Sequence, residues 1–427
     1  MTFLAIVVGF ISLLPMLVIG VKGVFFSIDP EVMYIGNALS YIKSGQIQYI
    51  DHPGTPSILA VGYLLWPFRI YAKLIDHVPF ILWAFKHYAI VFLYLRVWQG
   101  ILFTLGVWIF LKSVKAVVGS TMVVMMSLLS LLIYSPFLRL GSGVTPETLS
   151  FLLTSIWVWK LAKFLRSPEV SLIPVLGVIS GLAVANKFTN LFLIAASISL
   201  PLGLRNLNLR QRLANSLIVL VAALFGFVIG TWSIRDKYKI LFNWVYDLIT
   251  STGIHAGGEK AIFEWTSYRD SVISLHHQIP WLFLGIILTL SISIVQKRLS
   301  TLVVIFAIGV LAFAKYPLTY YQLSNYTVLV FLLALLLSRM NKMILVAISM
   351  LLLPLVSSTI NGYLTTTTLA MSRAKALEDY IIKHPAKKAT LWEWGRAKDP
   401  ALLLTTSSGW HGNMFADEMK DMKTSTF

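Results

Sequence analysis

Apolar positions in this chain fall in long unbroken runs, not in the alternating or one-face patterns of a soluble fold. Eleven runs stand out: 2–26, 88–111, 116–134, 146–166, 171–186, 188–204, 213–233, 279–296, 299–314, 323–338 and 343–358. A crossing helix needs about 20 apolar residues. The pattern therefore predicts an all-α polytopic membrane protein with about eleven transmembrane helices. The runs 171–186 and 188–204 are nearly continuous around Asn186-Lys187, which reads as a tight turn between two helices. A further apolar stretch, 55–75, carries Pro56, Pro67 and Arg69 and reads as an interfacial or re-entrant segment. If it spanned, every later side assignment would invert. The first run has no basic flank and is long enough to cross, so it reads as a retained helix, not a cleaved leader.

Composition agrees with this pattern. Of 427 residues, 57% are hydrophobic and 12% charged, the latter about half the share usual in a soluble domain. A disordered chain, a fibrous repeat and an ordinary soluble enzyme are excluded. The net charge of +17 would suggest nucleic acid in a soluble protein, but basic residues also gather in the short cytoplasmic loops of membrane proteins. With the N-terminus cytoplasmic, the short inner loops hold twelve Lys and Arg. The short outer loops hold three, Arg139, Lys187 and Lys315. That bias fixes the expected orientation in a plasma (inner) membrane. The long loops 27–87 and 234–278 then lie outside, as does the region after 358. Residues 1–358 form the expected transmembrane domain and 359–427 a small extracytoplasmic C-terminal region. In that region a helix is expected over 370–383 and a strand near 391–395, packed on the outer loops. There is no cysteine, hence no disulfide and no thiolate metal site. No internal repeat, phosphate-binding glycine loop or HExxH motif is present.

Candidate chemistry concentrates in the outer loops. Ser27-Ile28-Asp29-Pro30-Glu31 leads into Val32, Ile35, Leu39 and Ile42 at helical spacing, which predicts an amphipathic interfacial helix over 30–43 ended by Ser44-Gly45. Asp29 before a proline also suits a simple helix cap. Asp51-His52-Pro53-Gly54 then opens the stretch 55–75, and Thr145-Pro146-Glu147 opens a span. Glu147 equally suits the first turn of any helix, and Lys187 equally suits a snorkelling lysine. Gly253-Ile254-His255-Ala256-Gly257-Gly258-Glu259 in the second long loop reads as a flexible segment or as a place where His255 and Glu259 touch a sugar or ligate a metal. Tyr320 and Tyr321 fall at an outer helix end, where an interfacial aromatic belt is the ordinary role. Arg96 is the main charge inside a run and reads as snorkelling or lining a cavity.

Four of these segments resemble the C-type glycosyltransferase superfamily (GT-C), which includes the protein O-mannosyltransferases and the lipid A aminoarabinose transferases. Asp29-Pro30-Glu31 with Tyr34 resembles the acidic motif heading the first outer interfacial helix. His52-Pro53-Gly54 is similar to the His-Pro-Pro-Leu element, with Gly54 in place of the second proline. Thr145-Pro146-Glu147 is similar to a second acidic site. Gly181-Leu182-Ala183 followed by Lys187-Phe188-Thr189 is similar to the Gly-Leu-Ala…Thr-Lys-Gly turn, departing at Asn186 and Phe188. The resemblance covers about residues 1–235. It implies a GT-C-like fold and transfer of a sugar from a polyprenyl-phosphate donor to an acceptor hydroxyl at the extracytoplasmic face, with inversion.

Each residue type has a part in such chemistry. A carboxylate accepts the proton of the attacking hydroxyl. Asp29 is the first candidate, with Glu31 and Glu147 beside it. The leaving lipid phosphate needs cations or donors, and Lys187, His52 and Arg139 are candidates. Tyr34, Asp51, His255, Glu259 and Tyr320 are candidate substrate contacts. A divalent metal ion is the one cofactor in view, with His52, His255 and Glu259 as conceivable ligands. The partners expected are the lipid-linked sugar donor, a lipid, glycan or protein acceptor and the bilayer. A lipid-linked sugar flippase or other transporter is the alternative. It should place ionisable residues near the middle of spans, whereas here they gather at the outer mouths.

Overall fold

The computed structural model describes residues 1–19, 31–48, 50, 54–204, 206–251, 264–295 and 300–383. Every regular element among them is helical. In chain order, α1 is Thr2–Ile19, α2 Glu31–Ser44, α3 Thr55–Leu64, α4 Trp66–Leu74, α5 Phe80–Lys86 and α6 Tyr88–Val118. Then come α7 Thr121–Ile133, α8 Pro146–Arg166, α9 Leu172–Asn186, α10 Leu191–Leu202 and α11 Leu209–Thr231. The remainder are α12 Tyr238–Thr250, α13 Trp265–Gln278, α14 Pro280–Val295, α15 Ser300–Phe313, α16 Leu323–Leu337 and α17 Lys342–Lys383.

Each of the eleven apolar runs is represented by a helix. Five stretches are helical for long enough, and apolar enough, to cross a membrane: Tyr88–Val118, Pro146–Arg166, Leu209–Thr250, Thr319–Leu337 and Lys342–Leu369. A sixth results if α13 and the start of α14, bent by 96°, count together. Among the described residues five further apolar helical stretches, in α1, α7, α9, α10 and α15, are shorter, at 10–17 residues. The stretch 55–75 is broken at Leu65, and neither half, of 10 and 9 residues, has the length of a crossing. α4 exposes Trp66, Ile70, Tyr71 and Leu74 and carries Arg69 and Lys73, as an interfacial helix would. α17 continues unbroken past 358, so the change of composition there is not a break in the backbone. The expected strand near 391–395 lies outside the described residues.

Packing is dictated by small residues where helices meet. α9 and α11 lie in backbone contact and run parallel. Gly177 and Gly181 on α9 pack on the backbone of α11 at Val219, Ala223 and Phe227, while Gly226 and Gly230 on α11 pack on Val178 and Ala185 of α9, so each helix presents a Gly-x-x-x-Gly spacing to the other. A Cβ on Gly177 would sit 2.6 Å from the Val219 carbonyl oxygen, and one on Gly181 would overlap that of Ala223. Without a hydrophobic driving force between helices in lipid, such close approach is a main source of association. α10 returns between them, with Ser216 Oγ on α11 donating to the Ile198 carbonyl at 2.9 Å. Around α6 and α8 the core is aromatic: Phe103, Phe137 and Phe151 meet with centroids 5.0–5.7 Å apart. Of the five long stretches, the one ending in α16 is the most enclosed and α17 the least.

Candidate functional site

The segment between α7 and α8 leaves helical geometry yet stays inside the bundle. Phe137, Leu138, Leu140, Ser142, Val144 and Thr145 are all buried. Irregular backbone at such depth needs its polar groups satisfied by protein. Here Thr148 Oγ1 donates to the Leu140 carbonyl, Ser142 Oγ to that of Arg139 at 2.8 Å, and Val144 N–H to Glu31 Oε1 at 2.7 Å. Glu31 is also held by Arg96, whose Nε donates to Oε1 at 3.1 Å and Nη2 to Oε2 at 2.6 Å. Both residues are buried. Arg96 therefore neither snorkels nor needs a water-filled cavity. It joins α6 to the start of α2 and, through Glu31, to the loop before α8. Both carboxylate oxygens of Glu31 are already engaged by a guanidinium and an amide, so Glu31 has the place of an anchor.

Next to this anchor four segments converge. Gly54 lies against Tyr34 and Pro146: a Cβ there would be 3.0 Å from Tyr34 Cε1 and 3.5 Å from Pro146 Cγ. That crowding is a physical reason for glycine at this position. Asn186, at the end of α9, is completely bonded. Its Oδ1 accepts from Ser57 Oγ at 2.6 Å, and its Nδ2 donates to the Pro146 carbonyl at 2.7 Å and to Ser150 Oγ at 2.9 Å. Asn190 repeats the device. It donates to Ser150 Oγ at 3.1 Å and to the Ala183 carbonyl at 2.6 Å, and accepts from Ser324 on α16. These neutral bonds fix the α9–α10 break in register with the start of α8.

The register places Lys187 beside Glu147. The two form an ion pair with side chains almost entirely buried. Lys187 Nζ also stands 4.8 Å from the ring centroid of Tyr320 and 5.0 Å from that of Tyr321, a cation–π arrangement. Glu147 Oε1 receives the lysine, while Oε2 is buried without a hydrogen-bond partner among the described residues. α12 lies across the same end. Lys237, just before it, donates to the Ile47 carbonyl at 2.6 Å, Trp244 meets Phe188 at 6.4 Å, and Lys315 Nζ donates to the carbonyls of Leu248, Ile249 and Ser251 at 2.7–2.9 Å. Burial lowers the proton affinity of Lys315.

Of the sequence candidates, Tyr34, Glu147, Lys187 and Tyr320 are thus brought together, with Glu31 one layer away. Arg139 sits on the α17 side of the same loop, near Tyr363; burial lowers its proton affinity and the tyrosine opposes that shift. Asp29, Asp51, His52, His255 and Glu259 lie outside the described residues. Among the described residues no three His, Asp or Glu converge as a metal site would require. Sequence reading missed Arg96 as an ion-pair partner and, at Asn186, saw a turn and a departure from the family pattern but not a hydrogen-bonding hub. A signal was there, since Ser57, Ser150, Asn190 and Ser324 are polar residues in or beside apolar runs, which are costly in lipid unless bonded. No family model, curated protein or solved structure matches the chain.

Proposed function

We propose that this protein is a GT-C type membrane glycosyltransferase that moves a sugar from a polyprenyl-phosphate donor to an acceptor hydroxyl at the extracytoplasmic face, with about eleven crossings and a cytoplasmic N-terminus. The observation that carries the reading is the convergence of Tyr34, Gly54, Glu147 and Lys187. Segments separated by up to about 130 residues meet at one end of the bundle through Ser57–Asn186, Asn186–Pro146 and Lys187–Glu147. Each belongs to one of the four segments that resemble the family.

In this reading Asp29 takes the proton of the acceptor hydroxyl as it attacks the anomeric carbon. The bond to the phosphate oxygen breaks, and Lys187 and His52 stabilise the charge left on the lipid phosphate. Tyr34, beside Gly54, and Tyr320, beside Lys187, are the substrate contacts of this reading. Glu31, already engaged by Arg96, anchors the helix that follows Asp29. The flippase alternative is less well supported, because the buried charges gather at one end. The test is transfer from a polyprenyl-phosphate sugar in liposomes. Asp29→Asn retains a helix cap and should fold, bind donor and lose transfer by a factor on the order of 10² or more. Near-normal turnover in that variant would exclude Asp29 as the base.

A further inference from the structure

The Glu147–Lys187 pair has an unfinished half. Glu147 is fully buried, one carboxylate oxygen meets Lys187, and the other has no partner among the described residues. Leaving an ionised oxygen desolvated and unbonded is costly. A carboxylate whose only work was to hold helices together would be better bonded at both oxygens, as Glu31 is. Nor is this ion pair needed for register, since Asn186 and Asn190 already tie the break to α8 with neutral hydrogen bonds.

Lys187 is suited to changing partners. It caps α9 with extended backbone, φ −158° and ψ 127°, so its side chain leaves from a break and not from a packed helix face. Its stem is flexible and its charge compact. The rings of Tyr320 and Tyr321 stand 4.8 and 5.0 Å from the ammonium.

We infer that Glu147 is an internal counter-ion which an incoming oxyanion displaces from Lys187. The inference rests on the glycosyltransferase reading in taking a phosphate as that oxyanion. Exchange conserves the charge pairing: Lys187 trades a carboxylate for a phosphate oxygen, with no covalent bond made or broken. The displaced carboxylate, now with both oxygens open, accepts hydrogen bonds from hydroxyl groups of the same ligand. Until a ligand arrives, the cation is masked. Glu147 thus opposes anion binding and sets its threshold.

The sign of one substitution tests this. Binding of a short-chain prenyl monophosphate, and separately of inorganic phosphate, is measured by calorimetry on the full chain in nanodiscs. Glu147→Gln removes the competitor and should tighten binding about tenfold, close to 1.4 kcal/mol. Adding Lys187→Met should abolish both the gain and the binding. Unchanged or weaker binding by Glu147→Gln overturns the inference. Should that variant fail to fold, Glu147→Asp draws the carboxylate back by one methylene and should also bind more tightly than wild type; equal or weaker binding again overturns it. Failure of both variants to fold even with phosphate present overturns it too, because a group that must be displaced cannot be indispensable. A gain in either arm supports it, and comparing the arms separates a lipid headgroup from a free ion. If wild type transfers sugar yet Glu147→Gln binds no tighter, this inference alone fails. If wild type binds no phosphate and transfers no sugar, the functional reading fails with it.

Discussion

Two buried ion pairs stand side by side in this bundle, and they are built differently. Glu31–Arg96 is two-pronged, and its carboxylate also takes the Val144 amide. In Glu147–Lys187 one carboxylate oxygen meets the lysine, the other has no hydrogen-bond partner among the described residues, and two tyrosine faces stand beside the cation. The guanidinium is a rigid fork matched to a carboxylate, while the ammonium is a point charge on a flexible stem. One arrangement resists rearrangement and the other invites it. The comparison separates an anchor from a site without reference to any related protein.

The largest effect should come from breaking the anchor. Arg96→Met leaves Glu31 buried and uncompensated, which costs roughly 3–5 kcal/mol. Apparent thermal unfolding in detergent should show it, and a variant as stable as wild type would remove the anchor from the comparison. Next is the seam that carries Lys187 to its place. Gly181→Leu must force α9 away from α11, because its Cβ already overlaps the Ala223 carbonyl. Overpacking of this kind costs about 1–3 kcal/mol, and the displaced Lys187 should lose ligand affinity as well. The finest discrimination comes from neutralising each pair completely. Glu31→Met with Arg96→Met still strands the Val144 amide, at about 1–3 kcal/mol. Glu147→Met with Lys187→Met removes a pair whose register is also held by the Asn186 and Asn190 hydrogen bonds and should stay within about 1 kcal/mol of wild type, while the proposed sugar transfer disappears. Equal stability losses in the two double variants would erase the distinction.

Much of the architecture was legible as composition. The eleven runs all became helices because unbroken hydrophobicity is a local property, readable without knowing what packs on what. The break at Asn186-Lys187 was legible for the same reason. The Glu31–Arg96 pair was not, because 65 residues separate its members and nothing in either neighbourhood points to the other. The seam lies between these cases: Gly177-x-x-x-Gly181 and Gly226-x-x-x-Gly230 are plain in the sequence, but only the packing of α9 on α11 gives them meaning. The helices α5, α12 and α13, which lie outside the eleven runs, escaped a hydropathy reading because they are short or amphipathic. Asn186 read as a departure from a family pattern, and its three hydrogen bonds show what the departure supplies.

The helices that meet at Lys187 are also short. α9 has 15 residues and α10 has 12, so at 1.5 Å per residue they reach only about 22 and 18 Å. A bilayer core is about 30 Å thick. Lipid next to helices too short for it thins to match them, so the membrane surface should dip toward the break. Headgroups would then approach Lys187, and a lipid-borne phosphate could reach it without its chain leaving the hydrocarbon. On the proposed function membrane thickness thereby becomes a variable of the sugar transfer: bilayers of shorter-chain lipids should raise turnover, and bilayers of longer-chain lipids should lower it.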